Sequence, residues 1–381
     1  VLSEFYIFDT SNTSSDNHTP VFLDSELISY FIKLTSGQIV QTGQLGNAVA
    51  INGNGVIVAG ARDDALDSSY QAGSVVIFTP LEDGTYVEHQ LIAPDEVADD
   101  HFGDAITIAV DGTVVVSATT ASPDGNSESG AVYVYNPGGN GDYTVPVKLV
   151  ASDATQLDNF GLSVAINESG QIIVGAASDD VNGGLGAGSI YIYTPEASGD
   201  YSEIKLTAPE GEGLANFGSS ISFNESGLIV VGAKGELNDT GALYVYHSSL
   251  DGYADPVKLD TPQLQIGDKL GTSIAVNENG QILVSQPGNW IDGEAATGSV
   301  LLYTPDEDGN YSDSIEFTAA DGDASDAFGS AVAINASGTF VVAAANDEAN
   351  GYASGSVYVF VPQEDGTYKE FKIWCSRRGC R

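Results

Sequence analysis

Short apolar runs separated by polar turns follow one another along most of the chain. From Phe160 the sequence reads FGLSVAINESGQIIVGAASDDVNGGLGAGSIYIYTPEASGDYSEIKLTAPEGEGLAN, whose apolar positions predict strands near 163–167, 171–177, 189–195 and 202–208. All four are short and rich in Val, Ile and Tyr, and no segment carries a helical period. The tip between the first two strands is Ser169-Gly170. Its counterparts are Asn54-Gly55, Asp111-Gly112, Ser226-Gly227, Asn279-Gly280 and Ser337-Gly338. Glycine there supplies the positive φ that a tight hairpin requires.

The unit occurs six times, opening at Leu45-Gly46, Phe102-Gly103, Phe160-Gly161, Phe217-Gly218, Leu270-Gly271 and Phe328-Gly329, with spacings of 57, 58, 57, 53 and 58 residues. Four antiparallel strands at this period predict a blade of an all-β propeller rather than a coil of a solenoid. Residues 1–44 hold three further strand-like runs, at 5–8, 20–23 and 28–34, the last resembling the fourth strand of a unit. The expectation is one domain over residues 1–373, a seven-bladed ring with 1–44 as a partial blade. Six blades with an N-terminal appendage is the alternative. In every unit a Gly in the second hairpin is followed by a Tyr, namely Tyr86, Tyr143, Tyr201, Tyr253, Tyr311 and Tyr368. Repetition in all six copies assigns these rings to packing between blades.

Charge narrows the possible partners. Acidic side chains number 53 against 12 basic, a formal net charge of −41. Such a surface repels nucleic-acid phosphates and anionic membranes. No run of about 18 apolar residues exists, so no direct membrane insertion is expected. The acid excess has two readings, solubility in salty surroundings and binding of divalent cations. Gly at 45 residues fits a fold with many tight turns. Methionine is absent even at position 1, so the chain reads as a processed product or an excised segment.

The Phe-Gly openings, the Val-Gly-Ala endings at 174–176 and 231–233, and the Gly-Ser/Ala-x-Tyr strand that follows resemble the FG-GAP repeat over residues 45 to about 372. The resemblance implies a propeller like that of integrin α subunits and many bacterial surface proteins, secreted or at the cell surface, with an adhesion role often involving calcium. Integrin-type repeats place D-x-D-x-D-G between the first two strands. Here the tips read Asn-Glu-Ser-Gly, Asn-Glu-Asn-Gly or shorter, too few carboxylates for the six to eight oxygens Ca²⁺ takes. The family's calcium ligands are therefore not carried over. The same tips create N-x-S sequons at Asn167, Asn224 and Asn335, which turn chemistry alone explains.

Propeller geometry sends the 1–2 and 3–4 loops to one face and the 2–3 and 4–1 loops to the other. The second set is longer, variable and acidic, and variable loops on a rigid ring are where binding is expected. Trp290, Tyr70 and Tyr352 stand in 2–3 loops as candidate contacts for a glycan or protein ligand. Asp179, Asp180, Asp347 and Glu348 are candidate Ca²⁺ ligands on the same face. The four histidines share no repeat position and no H-E-x-x-H, G-x-S-x-G or phosphate-binding loop occurs, so the chain is expected not to be an enzyme.

Residues 374–381 form an atypical basic tail with both cysteines, Cys375 and Cys380, and three of the four arginines. It reads as a small disulfide loop, a basic anchor, or a frameshifted continuation of the repeats. The expected function is an extracellular binding or adhesion module that recognises a ligand at a cell or particle surface. The alternatives are an assembly domain of a surface appendage or virion, and a noncatalytic domain of a larger secreted enzyme.

Overall fold

Strands 2 and 3 of each unit are almost wholly apolar, so they must be covered on both faces. The computed structural model meets this demand by standing the units side by side as blades. It describes residues 5–7, 32–37, 39 and 43–373, apart from 66–70, 96, 140, 210–212, 250–251, 260, 262–263, 292 and 349–353, together with 375–376 and 379–380.

Six four-stranded antiparallel sheets are present among the described residues, each in simple sequential order. Blade 3 is representative, with strands Ser163–Ile166, Ile172–Ala176, Ser189–Pro195 and Tyr201–Thr207. These strands lie where the apolar pattern puts them. Strand 2 is buried along its full length, whereas strand 4 alternates between half-buried and exposed because its outer flank meets water.

Hydrophobic clusters lie between the blades. One joins Val115, Val132 and Val134 of blade 2 to Phe160, Ile172 and Val174 of blade 3, and similar clusters join each blade to the next as far as blade 6. The opening Phe, or Leu270 in blade 5, lies in each of these seams. Phe102, Phe160, Phe217 and Phe328 are fully buried, and Phe160 meets Tyr191 and Tyr193 edge-on at 5.4 and 6.0 Å. Burial of one such ring is worth roughly 2–3 kcal/mol.

A backbone latch closes the seam. The Phe217 N–H donates to the Ala187 carbonyl at 3.0 Å, and Phe102, Phe160, Leu270 and Phe328 repeat the bond. The glycine before strand 3 makes this approach possible. A Cβ on Gly188, whose φ is +88°, would lie 2.2 Å from the Phe217 carbonyl oxygen. The 3–4 hairpin tyrosines pack as expected. Tyr143 and Tyr311 donate to the Gly112 and Gly280 carbonyls of their own blades, and Tyr253 of blade 4 reaches Gln171 of blade 3.

The seven-bladed expectation is corrected. The described residues form six complete blades, and those of the N-terminal segment include one pair of strands, Phe5–Ile7 and Ile32–Leu34. The run at 20–23 lies outside the described residues. In the tail, Cys375–Ser376 pairs with Gly379–Cys380 as a short antiparallel ladder.

Candidate functional site

One polar motif recurs on the face formed by the 2–3 and 4–1 loops, and it is built around the few lysines of the chain. In blade 3 the Lys205 ammonium lies 2.6 Å from both Asp153 and Asp179 and sits over the Tyr191 ring. Tyr191 donates to the same two carboxylates at 2.8 and 3.2 Å, and Ser189 donates to Asp179 at 2.5 Å. Asp153 comes from the 4–1 loop, Asp179 from the 2–3 loop and Lys205 from strand 4. Blade 6 repeats the set with Lys372, Asp321, Asp347 and Tyr358 at 2.6 to 2.9 Å.

Burial raises the Asp153 carboxyl, but its bonds to Lys205 and Tyr191 outweigh this and hold it below the usual carboxylate range. For Lys205 and Lys372 burial works downward, yet the paired carboxylates leave both ammonium groups above the usual lysine value. Burial, followed by the hydrogen bonds to carboxylates, pushes the Tyr191 and Tyr358 hydroxyls far up.

This arrangement accounts for two of the residues expected to hold metal. Asp179 and Asp347 are buried, and their carboxylates are ion-paired. A cation would have to displace a lysine from each. Asp180 and Glu348 are exposed beside them, and Asp180 accepts the Gly186 N–H at 2.8 Å. Among the described residues no group of three or more His, Cys, Asp or Glu side chains is arranged to hold a metal ion.

A second set of repeated acids caps turns. Asp100, Asp158, Asp268 and Asp326 each stand two residues before the opening Phe or Leu and accept the backbone N–H three residues earlier, at 2.6 to 3.2 Å. All four are raised by burial. Much of the acid clustering in the 4–1 loops is thus structural.

Blade 2 departs from the motif. Ala121 stands where blade 3 has Asp179, so the Asp95 carboxylate alone pairs with Lys148, at 2.6 Å, and takes the Tyr133 hydroxyl at 2.8 Å. A cleft of about 1,050 Å³ opens here, lined by Asp95, Asp99, Asp100, His101, Glu128 and Lys148 among others. His101 Nδ1 lies 2.9 Å from Thr120 Oγ1, and its Nε2 lies 3.8 Å from Asp63. Asp99 and Glu128 are exposed, so the cleft presents free negative charge to solvent.

The aromatic candidates are not gathered there. Trp290 is 59% exposed on the 2–3 loop of blade 5, and Tyr70 and Tyr352 lie outside the described residues. The signal overlooked in the sequence is the phase of the lysines. Lys33, Lys148, Lys205 and Lys258 all fall twelve residues before an opening Phe or Leu.

A ring of four-stranded blades with Phe-centred seams and variable loops on one face defines a repeat β-propeller. The FG-GAP repeat model matches residues 87–135, 143–193, 202–246 and 311–360, together just over half of the chain, and the chain belongs to that family. Each matched stretch runs from strand 4 of one blade to strand 3 of the next, so the family unit is centred on the seam. No curated protein matches the sequence.

Among solved structures, a protein from Lactobacillus plantarum is similar at 12% identity and a TM-score of 0.57, covering 90% of this chain and 88% of its own. The Pseudomonas aeruginosa periplasmic gluconolactonase PpgL is similar at 13% identity and a TM-score of 0.58, covering 86% and 85%. At such identities the likeness is one of fold. The expectation of a non-enzyme is corrected by the second of these, because a protein named as an enzyme shares the propeller and the fold excludes no catalysis.

Proposed function

We propose that the chain is an extracellular recognition module whose 2–3 and 4–1 loop face takes a basic segment of a protein partner into the cleft over blade 2. The observation that carries this reading is the cleft itself. It is roomy, its lining includes the exposed Asp99 and Glu128, and Lys148 in the same lining is already paired with Asp95. Low-dielectric walls bearing one sign of charge concentrate a cation of the opposite sign. The net charge of −41 adds a long-range pull on the same partner. A secreted or cell-surface setting and a surface-borne partner complete the reading.

The test is binding of a short Arg/Lys peptide by titration calorimetry at fixed ionic strength. Asp99→Asn with Glu128→Gln should weaken it by about fivefold or more, as expected for loss of charges facing the ligand. Asp83→Asn with Asp365→Asn, two exposed 3–4 hairpin acids on the opposite face, should leave it unchanged. Equal losses from both pairs would mean diffuse charge attraction and would end the proposal.

A further inference from the structure

The 2–3 loop position that Asp179 occupies in blade 3 carries a polar side chain in every complete blade except the second. Asp64, Asp179, Glu236, Asn289 and Asp347 each bond there to the strand 4 residue of their own blade. In blade 2 the residue is Ala121, and its backbone is held as that of Asp179 is. Its N–H donates to the Ala118 carbonyl at 3.2 Å and its carbonyl accepts from Gly130 at 2.9 Å, while Asp179 uses Ala176 and Gly188 at the same two distances. At this position the two blades differ by the carboxylate alone.

Most of the groups that hold that carboxylate elsewhere are still in place. Lys205 lies 2.6 Å from both Asp153 and Asp179, and Lys372 lies 2.8 and 2.6 Å from Asp321 and Asp347. Among the described residues Lys148 pairs with one carboxylate, that of Asp95. The tyrosine hydroxyls follow the same division. Tyr191 and Tyr358 each reach both carboxylates of their blades, whereas Tyr133 donates to Asp95. The Ser189 donor has no counterpart, because Ala131 stands in its place. The Lys148 set thus carries one negative charge fewer than the Lys205 set, and both Ala121 and Lys148 line the cleft. An ammonium group with one of two counter-charges, beside a methyl where the second belongs, is a receptor for a carboxylate brought from outside, since charge-assisted hydrogen bonds are the strong ones.

We infer that the basic segment taken by the cleft also carries a carboxylate, which lies against Lys148 and Tyr133 in the place that the Asp179 side chain fills in blade 3. That ligand class rests on the proposed function of the cleft and gives its occupant a second kind of charged group. The cationic side chains meet Asp99 and Glu128, and the carboxylate supplies the second counter-charge of Lys148. A chain end and an Asp side chain offer the same group, and capture of a C-terminal carboxylate is an established mode of peptide recognition.

The experiment is titration calorimetry on the full chain at fixed ionic strength with three N-acetylated Arg/Lys pentapeptides. One has a free C-terminus, one is its C-terminal amide, and one is an amide with an internal Asp. A carboxylate-bearing peptide should bind about tenfold or more tightly than the plain amide, as a hydrogen bond to a charged group implies. The sign discriminates, because diffuse attraction to a chain of net charge −41 ranks the plain amide first. Tighter binding of the free chain end identifies a C-terminus as the source, and tighter binding of the internal Asp identifies a side chain. Ala121→Asp installs the residue of blades 3 and 6, and Lys148→Gln installs the residue of blade 1, Gln90. Both should keep the parental circular dichroism and remove the preference. Asp99→Asn with Glu128→Gln should weaken all three peptides and preserve it.

Equal binding of the three peptides, or tightest binding of the plain amide, would overturn the carboxylate site and leave the basic-segment reading standing. A preference that survives both Ala121→Asp and Lys148→Gln would place the carboxylate elsewhere and overturn it as well. Binding of none of the three would overturn both.

Discussion

Lys205 Nζ lies 2.6 Å from Asp179 Oδ2, inside a seam where the aspartate side chain is only 5% exposed. The carboxylate also accepts from Ser189 and Tyr191, so it is fully engaged. Lys205→Met would leave a buried anion with hydroxyl donors alone, and breaking a buried pair in this way costs up to about 3–5 kcal/mol. The double variant Lys205→Met, Asp179→Leu should recover most of that loss, because it removes the uncompensated charge. Denaturant midpoints on the single and double variants decide the matter. A single variant as stable as the parent would show the pair to be solvated.

The same geometry bears on calcium. A divalent ion could use Asp179 or Asp347 only after expelling an ammonium group held at 2.6 Å. Melting temperatures in EDTA, Mg²⁺ and Ca²⁺ at matched ionic strength are therefore expected to show no increment specific to Ca²⁺, since only binding to the folded state raises them. A Ca²⁺-specific rise abolished by Asp179→Asn or Asp347→Asn would restore both residues as ligands.

What the sequence made legible was whatever repeats in its backbone chemistry. The apolar runs, the turn glycines and the Phe-Gly openings located the strands of blade 3 to within a residue or two, because burial on both faces and positive φ admit few residue types. The roles of the acids were less legible. Asp179 and Asp347 read as free carboxylates because their partners, Lys205 and Lys372, lie about 25 residues further along on strand 4. Only the constant phase of the lysines, in a chain with 12 basic residues, pointed to pairing. The cleft over blade 2 had no positive signal at all. It follows from Ala121 standing where blade 3 has an aspartate, which becomes visible only when the blades are superposed in phase.

Alkaline pH should unfold the protein cooperatively. The hydroxyls of Tyr133, Tyr191, Tyr193 and Tyr358 are raised well above the usual tyrosine value of 10.0, first by burial and then by neighbouring carboxylates. The unfolded chain releases these protons above pH 10 while the folded chain retains them, so stability falls as pH rises. Lys205 and Lys372 act in the same sense. Their folded values are raised above 10.5, so their contribution is full below that pH and is lost as pH climbs through the folded values. Tyrosinate absorbance and circular dichroism should change together. Ionisation of the buried tyrosines with the fold intact would contradict this account.

The acid limb should be shallower. Asp95 and Asp153 are lowered, so they stabilise above the ordinary carboxylate value and lose that contribution as pH falls through their folded values. Asp100, Asp158, Asp268 and Asp326 are raised by burial and gain relative stability as they protonate. The two sets oppose one another, and a melt series from neutral pH downward should show a smaller slope than the alkaline series. A steeper acid limb would mean that the ion pairs outweigh the buried turn caps.

Two glycines of the same repeat position differ in what lies against them among the described residues. Gly188 has φ +88° and room for no Cβ, since the Phe217 carbonyl oxygen would lie 2.2 Å away. Gly355 has φ +71°, but its nearest neighbours would lie at 3.4 Å or beyond, an ordinary van der Waals distance. Gly188→Ala must therefore push two blades apart and should cost at least about 3 kcal/mol, whereas Gly355→Ala should cost only the roughly 1–2 kcal/mol of a left-handed alanine. The difference appears in denaturant midpoints of the free chain. Equal costs at the two positions would show that Gly355 is covered as closely as Gly188.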